Sequence, residues 1–248
     1  MAALNFFVLD TSLQGVTLGL VTIEAPSHRI LASYGSSQPG EAAARLPELC
    51  QRLLKETDLA LEDIDGLLVS HGPGSFTGIK IGLSFAAGWN RAGTKTKVYG
   101  VSSVKGLQRQ LPKNQSLFLP ATQTAGYFSQ LQESQTAVNL GVIDLALSSV
   151  AARFQESTDS LQPIAQKDLG EVKILGVWPK VEAWLAEQNI PWSRYENPLL
   201  HESVITGMVE EFIAKSDKLS EGELTAVYLR KSAPEEKLDN LAKALSQD

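Results

Sequence analysis

An α/β fold is predicted by three features of this 248-residue chain. Short apolar segments at 5–9, 16–23 and 29–34 are separated by turn residues, and the second is rich in β-branched residues, which predicts a meander of three strands. Apolar side chains at spacings of three and four across 41–56 predict a helix with one buried stripe. From residue 66 onward, short buried strands alternate with helical segments, an order typical of α/β architecture.

The same patterns predict the remaining elements and two lobes. Strand 66–69 runs into a glycine-rich loop and a helix over 79–91, followed by strand 98–101 and a helix that ends before Pro112. Beyond Pro112 we predict, in order, strands at 116–119, 126–131 and 137–142, a polar loop at 155–169, a strand at 173–177, and helices at 181–188 and 201–215. The predicted domains are an N-terminal lobe over 1–112, a smaller lobe over 113–200 and a tail over 216–248. Helix 201–215 is a candidate for packing back on the N-terminal lobe.

Composition excludes several classes of protein. The net charge of −6 argues against a chain that binds nucleic acid alone through a broad basic surface. No apolar run reaches the roughly 20 residues needed to span a bilayer, and no signal-like segment opens the chain, so we expect a cytoplasmic protein without membrane contact. The single cysteine, Cys50, stands among leucines at helical spacing and is expected to be a buried core residue.

The glycine-rich loop between Gly72 and Gly78 stands at a strand-to-helix junction, where phosphate binding must be considered. Its spacing differs from a P-loop, because Ile79 separates Gly78 from Lys80 and Ile81 stands where a hydroxyl residue should be. Ser75 likewise lacks the flanking glycines of a nucleophile elbow. We therefore expect a structural loop of defined shape rather than a catalytic one.

The helix that follows carries Gly78, Gly82 and Ala86 at every fourth position, which leaves one face almost without side chains. Glycine inside a helix costs about 1 kcal/mol relative to alanine, so a compensating close contact is expected. The pattern alone leaves open whether that contact lies within the chain or with another subunit.

Asp10, Thr11 and Ser12 end the first strand and are candidates for binding a hydrated Mg²⁺ and nucleotide phosphates. The alternative is a turn in which Asp10 accepts hydrogen bonds from nearby backbone amides. The three histidines are isolated and form no pair at metal-ligand spacing, so we predict neither a protein metal site nor catalytic residues.

Four segments resemble the signature segments of the TsaB (YeaZ) family. They are LDTS at 9–12, VSHGPGSFTGIKIG at 69–82, GVSS at 100–103 and VYLR at 227–230. The resemblance implies a two-lobed actin-like ATPase fold of the sugar kinase and Hsp70 type. It also implies a non-catalytic partner subunit that acts with the catalytic homologue TsaD and the ATPase TsaE. Together they transfer a threonylcarbamoyl group to adenosine 37 of tRNAs reading codons that start with A.

The same resemblance implies that the chain has no cofactor of its own and that ATP and metal belong to the partner subunits. It also implies that tRNA is bound only through the complex and that the free chain is a homodimer. The catalytic homologue binds its metal through a His-x-x-x-His pair, which is absent from this sequence. The alternative is an ATPase or small-molecule kinase of the same fold that uses Asp10 and Thr11 at the phosphates. A peptidase is the least favoured interpretation.

The resemblance also implies an interface on the glycine loop and its helix, where a long side chain at Gly82 should block association. The predicted interface residues are Gly72, Pro73, Gly74, Ser75, Phe76, Thr77, Gly78, Ile79, Lys80, Gly82, Leu83, Phe85 and Ala86. The chain departs from the family pattern at Ala121-Thr122-Gln123-Thr124, where an acidic-basic stretch is usual, at Ala43-Ala44-Arg45, and at Lys80, where arginine is usual. The second lobe is therefore the divergent part.

Overall fold

The computed structural model contains two mixed β-sheets with helices on their outer faces and between them. It describes residues 3–13, 15–38, 41–92, 96–123, 125–131, 138–144, 149–153, 162–163, 169–197, 200–215, 224 and 226.

The first sheet has five strands in the order β3-β2-β1-β4-β5. Three of them form an antiparallel meander, and β4 and β5 add in parallel beside β1. Their bounds are β1 Leu4–Asp10, β2 Val16–Glu24, β3 Ser27–Ser36, β4 Gly66–Ser70 and β5 Lys97–Val101. The helices of this half are α1 Glu41–Thr57, α2 Phe76–Arg91 and α3 Ser103–Arg109, with a short 3-10 turn at Leu61–Asp63.

Strand β1 is buried on both faces because helices cover both sides of the sheet. Side chains alternate along a strand, so Phe7 and Leu9 enter the outer core, shared with α1 and α2. Phe6 and Val8 point the other way into the inner core, which lies between the two sheets. The central strand thus joins the two cores.

The second sheet has seven strands in the order β10-β9-β8-β7-β6-β11-β12. Strands β6 to β10 pair antiparallel, and β11 and β12 add in parallel beside β6. The bounds are β6 Gln115–Pro120, β7 Ala125–Leu131, β8 Val138–Asp144, β9 Ser149–Arg153, β10 Gln162–Pro163, β11 Glu171–Ile174 and β12 Trp192–Arg194, with helices α4 Pro179–Glu187 and α5 Leu200–Lys215. A distal core packs α4 against the face of this sheet that is remote from the first.

The two halves repeat one topology. In each, the first strand pairs antiparallel with the second, and the second with the third. Two parallel strands then add on the other side of the first strand, and a helix crosses between these two. The crossing helices are α2 and α4, and each half ends with a further helix, α3 or α5. Strands β9 and β10 are additions to the second half.

The final helices of the two halves are exchanged across the inner core. Helix α5 contacts all five strands of the first sheet, whereas α3 contacts β6, β7 and β8 of the second. The two helices cross where Gly106 meets Gly207, so closely that a Cβ on either would lie within 2.5 Å of the other's backbone. Gln108 extends the link, because its amide oxygen accepts hydrogen bonds from the Leu117 amide and the Ser129 hydroxyl, each at 3.0 Å.

An ion pair also joins these two helices. Arg109 Nε lies 2.6 Å from Glu211 Oε2, and Lys215 Nζ lies 2.9 Å from the other carboxylate oxygen. The Glu211 side chain is only 3% exposed. A buried carboxylate of this kind requires its partners, so the ion pair links α3 to α5 at this end of their contact.

The structure confirms the predicted α/β class and most predicted elements. It adds β9, β10 and β12, which the sequence patterns did not indicate, and β10 interrupts the stretch at 155–169 that was predicted to be a loop. The VYLR segment at 227–230 lies outside the described residues. Within the predicted tail, Leu224 is described and packs against the outer core.

Candidate functional site

Three serine hydroxyls and one carboxylate meet at the carboxyl ends of β1, β4 and β5. Parallel strands end at the same edge of a sheet, which brings Ser12, Ser70 and Ser103 together from distant parts of the chain. The hydroxyl of Ser70 lies 2.8 Å from that of Ser12 and 3.0 Å from that of Ser103. All three side chains are fully buried. We call this set the hydroxyl cluster.

Asp10 closes the hydroxyl cluster on one side. Its Oδ1 accepts hydrogen bonds from the Ser12 hydroxyl at 2.6 Å and the Ser12 amide at 3.3 Å. Its Oδ2 accepts one from the Leu13 amide at 3.2 Å. The residue is 2% exposed, and both carboxylate oxygens are engaged by the turn that follows β1. This geometry matches the turn alternative for Asp10 rather than an open metal or phosphate site.

The Thr11 side chain bonds to the start of α2. Its hydroxyl donates to the Gly78 carbonyl at 2.6 Å. A Cβ on Gly78 would lie 1.7 Å from the Thr11 carbonyl oxygen, so only glycine allows this approach. The Ser75 amide donates to the Ser12 carbonyl at 2.6 Å, which fixes the glycine loop against the turn after β1.

The N-terminus of α2 is capped within the chain. Ser75 is the N-cap residue, and its hydroxyl accepts a hydrogen bond from the Gly78 amide at 3.2 Å. The Ser75 hydroxyl thus binds an amide of α2, while the Ser75 amide binds the Ser12 carbonyl. Through these two bonds the loop acts as a structural clamp between β1 and α2.

The sequence-based interpretation of the glycine stripe is corrected by its burial. Gly78, Gly82 and Ala86 face the chain's own sheet, and a Cβ on Gly82 would lie 2.8 Å from Thr11 Oγ1 and 3.3 Å from Val69. The close contact is therefore internal, and a long side chain at Gly82 would disturb the fold rather than association alone. Of the predicted interface, the residues buried in the chain itself are Gly72, Pro73, Gly78, Ile79, Gly82 and Ala86.

The other face of α2 points outward. Ser75, Phe76, Thr77 and Lys80 are exposed, and Leu83 and Phe85 are half-buried. Phe76 is 38% exposed, and Lys80 Nζ stands 4.1 Å from the centre of its ring, a cation–π contact. These residues remain a predicted interface.

The remaining chemical candidates are a metal site and the Cys50 thiol. Within the described part of the chain, no three His, Cys, Asp or Glu residues are grouped so that they could hold a metal ion. Burial raises the pKa of the Cys50 thiol to about 12, so the sulfur stays protonated and unreactive at neutral pH. None of the helices in the described residues is long and apolar enough to cross a membrane.

Two members of the hydroxyl cluster, Ser70 and Ser103, were missed by sequence reasoning. Ser70 is the last residue of β4, and Ser103 follows β5 closely. Polar residues at or just after the ends of two neighbouring parallel strands are the signal that could have found them, because such strand ends converge at one edge of the sheet.

Comparison with known proteins places this site in a family context. Residues 23–122 match the family model described as TsaD: tRNA N6-adenosine threonylcarbamoyltransferase. The chain is 29% identical over 83 residues to tRNA threonylcarbamoyladenosine biosynthesis protein TsaB of Bacillus subtilis, which covers 34% of each chain. It is 36% identical over 66 residues to the protein of the same name from Escherichia coli, covering 27% of this chain and 28% of that one. The alignments thus span about a third of these curated relatives.

A solved structure matches along nearly the whole chain. YeaZ from Pseudomonas aeruginosa superposes with a TM-score of 0.54 at 18% sequence identity, covering 91% of this chain and 100% of that one. At this identity the similarity concerns the fold alone. The fold is the two-lobed actin-like ATPase fold of the α/β class, in agreement with the repeated topology described above.

Proposed function

We infer a function for this chain from its place in the TsaB/YeaZ family, an assignment that its family match, named relatives and fold support. We propose that it takes part in the biosynthesis of threonylcarbamoyladenosine on tRNA. The family match over residues 23–122 includes the glycine loop and all of α2, the elements around the candidate site.

Within that process we propose a non-catalytic role. The observation that carries this proposal is the state of Asp10, whose two carboxylate oxygens accept three hydrogen bonds from the chain itself at 2% exposure. A carboxylate that positions a metal or phosphate needs an accessible oxygen. The hydroxyl cluster beside it supports the same interpretation, because its hydroxyls bind one another.

The proposed partners are a TsaD-type catalytic subunit and a TsaE-type ATPase, with tRNA bound through the assembled complex in the cytoplasm. ATP and metal would then be held by those subunits. The proposed contact is the outward face of α2, where Phe76 and Lys80 are exposed beside half-buried Leu83 and Phe85. An apolar centre with a charged rim is the usual composition of a protein interface.

Reconstitution tests the role. The TsaD-type and TsaE-type proteins of the same genome would be combined with tRNA, ATP and the other substrates, and modified adenosine would be measured in digested tRNA by mass spectrometry. We expect full synthesis only when this chain is added. Full synthesis without it would contradict the proposed role.

A second measurement tests the absence of catalysis. The chain alone would be incubated with ATP, with and without small hydroxyl acceptors, and compared with Asp10→Ala after circular dichroism has confirmed that this variant folds. We expect no turnover by either protein. Turnover by the wild-type chain that disappears in the variant would favour a kinase or ATPase instead.

A further inference from the structure

Helix α3 is bonded to both lobes at once. At its start, the Ser103 hydroxyl lies 3.0 Å from that of Ser70, the last residue of β4 in the first sheet. Near its end, the buried side chain of Gln108 bonds to the second sheet. Its amide nitrogen donates to the Gln115 carbonyl at 2.8 Å, and its amide oxygen accepts the two hydrogen bonds described above. A rotation of one lobe against the other must therefore bend this short helix or break bonds at one of its ends.

Helix α5 is fixed to the first lobe at two glycines of the sheet. Ile205 lies over Gly19 of β2, where an added Cβ would stand 2.7 Å from Ile205 Cδ1. His201 lies over Gly35 of β3, where an added Cβ would stand 2.6 Å from His201 Cβ. Because each side chain fills the space that a glycine leaves, α5 cannot slide along the sheet without steric clashes. Helix α5 therefore moves together with the first lobe.

Two bonds tie the last turn of α3 to α5 on opposite sides of the point where the helices cross. The Gln110 side chain donates to the Ser203 carbonyl, one turn before Gly207. Arg109 pairs with Glu211, one turn after Gly207. A change in the crossing angle would bring the end of α3 closer to one of these partners and move it away from the other. One of the two bonds must then break.

The change of angle that these two bonds permit is small. Arg109 and Gln110 lie about one turn beyond Gly106, which gives a lever of about 5–6 Å along the helix. A rotation of about 10° moves the end of such a lever by about 1 Å, which is enough to break a hydrogen bond. The Glu211 side chain is only 3% exposed, and a carboxylate buried to this degree is strongly destabilised when it loses a partner.

The inner core opposes the same rotation, because it joins both sheets to both helices. Val8 of the first sheet, Val104 of α3, Leu117 of the second sheet and Ile205 of α5 belong to one apolar cluster, and all four are fully buried. Protein interiors are close-packed, so a sliding movement within this cluster would force its side chains against one another.

We propose that α3 and α5 form an inter-lobe lock, which holds the two lobes at one angle in the free chain and in its complexes. Proteins that close two domains around a ligand need a hinge whose residues absorb the rotation. Here the helices that cross between the lobes are bonded to the sheets and to each other. The lock goes beyond the proposed function, because it concerns the mechanics of this chain and would make it a single rigid body toward any partner.

Distances between two spin labels test the lock. Lys55→Cys on α1 and Ala183→Cys on α4 place one label at an exposed position of each lobe, while the native Cys50 is buried and stays unlabelled. An excess of unlabelled chain removes distances between copies. Double electron–electron resonance is recorded for the chain alone, with Mg²⁺ and ATP, and with the TsaD-type subunit of the same genome. We expect one narrow distribution, whose mean differs by less than about 3 Å among the three samples, since a rotation of about 10° moves a label about 18 Å from the centre by that distance.

Removing both bonds between the helices should release the lock. Gln110→Ala combined with Glu211→Leu deletes the donor on one side of the crossing and the acceptor on the other, and should widen the distance distribution roughly twofold. The matched control is Gln38→Ala with Glu62→Leu, the same two changes at exposed positions of the first lobe, which should keep the wild-type width. Circular dichroism establishes that each variant folds. If the double variant does not fold, Gln110→Ala alone takes its place and should widen the distribution to a smaller extent.

Two results would overturn the lock. The first is a wild-type chain with two separate distances, or with a mean that shifts by more than about 3 Å when nucleotide or partner is added. The second is a distribution in the variant that is as narrow as in the matched control. The proposed function is measured separately by reconstituted synthesis. A wild-type chain that restores synthesis while its lobes rotate would refute the lock and leave that function in place.

Discussion

In each half, the turn after the first strand is bound to the N-terminus of the crossing helix, but the two halves use different contacts. In the first half, the N-cap residue Ser75 reaches the turn after β1 through its backbone amide, which donates to the Ser12 carbonyl at 2.6 Å. In the second half, the equivalent N-cap residue is Trp178, and its indole Nε1 donates to the Gln123 carbonyl at 3.1 Å. The first connection requires glycines, which have no side chain, and the second requires the large side chain of a tryptophan.

This difference shows how one topology tolerates unrelated sequences. Gly74 and Gly78 let the first loop approach the turn, since a Cβ on either would lie 2.2 Å or less from a carbonyl oxygen. Trp178 is 1% exposed and lies against Gly126, so here the glycine stands in the strand and receives the ring. The close approach is common to both halves, but the residues that supply it are reversed.

Removing the side chain of Trp178 should have the largest effect on stability. Trp178→Ala deletes a buried indole and its hydrogen bond, which should lower the free energy of unfolding by about 3–5 kcal/mol. Denaturant unfolding measures this. Trp184→Ala, at a half-buried position of α4, should cost clearly less; equal losses would mean that burial of Trp178 is not what holds the second half together.

Adding a methyl group to the first half is the opposite change. Gly78→Ala places a Cβ 1.7 Å from the Thr11 carbonyl oxygen, so the loop must move, at a cost of about 3 kcal/mol. The same substitution at Gly88, where nothing lies within 4 Å, should be neutral or stabilise by about 0.5–1 kcal/mol. Thermal unfolding of the two variants compares them directly. A Gly78→Ala protein as stable as Gly88→Ala would show that the clamp is dispensable.

The hydrogen bonds of the turn after β1 and of the turn after β6 should differ in their contribution to stability. Ser12→Ala removes the donor to Asp10 and the neighbour of Ser70, and should cost about 2 kcal/mol because the remaining groups are buried. Thr122→Ala in the second turn removes one acceptor, that of the Ala125 amide at 3.0 Å, and should cost about 1 kcal/mol. Chemical denaturation of both variants, with Ser84→Ala as an exposed control, decides whether the hydroxyl cluster is the stronger of the two.

The smallest expected effect depends on pH. The Trp178 amide donates to Glu182 Oε1 at 3.0 Å, and this bond, assisted by Arg194, lowers the pKa of Glu182 below its ordinary value of 4.5. The carboxylate therefore stabilises the fold above pH 4.5, and this contribution disappears as the pH falls through the lowered pKa. Glu182→Gln should cost about 0.5–1 kcal/mol at pH 7 and almost nothing at about pH 2.

The matched variant changes Ser75, the N-cap residue of α2. Ser75→Ala should cost a similar amount at about pH 7 and the same amount at about pH 2, because the hydroxyl of Ser75 does not titrate in this range. Unfolding curves of both variants at the two pH values are the measurement. A pH-independent cost for Glu182→Gln would show that its ionised form does not cap α4.

Sequence patterns predicted the elements that carry their own periodicity. Helices α1, α2 and α5 and the opening meander each extend over enough residues to show a 3.6- or 2-residue period. Strands β10 and β12 have two and three residues, too few to display a period, and they form because β9 and β11 present edges to them.

The site was predicted less completely, for a physical reason. The glycine stripe of α2 correctly predicted a close contact, but a four-residue period is the same whether the neighbour is the chain's own sheet or another molecule. The actual meeting of two helices through glycine, Gly106 with Gly207, joins residues about a hundred positions apart. The cost of glycine in a helix interior was the available signal at both positions.

The exchanged helices also bear on how the protein is made. The last strand of the first sheet ends at Val101, but the helix that covers its inner face begins at Leu200. A ribosome adds about 5–20 residues per second, so the apolar inner face of the first sheet waits about 5–20 s for its cover during translation. We therefore expect the nascent chain to bind holdase chaperones until α5 has emerged from the ribosome.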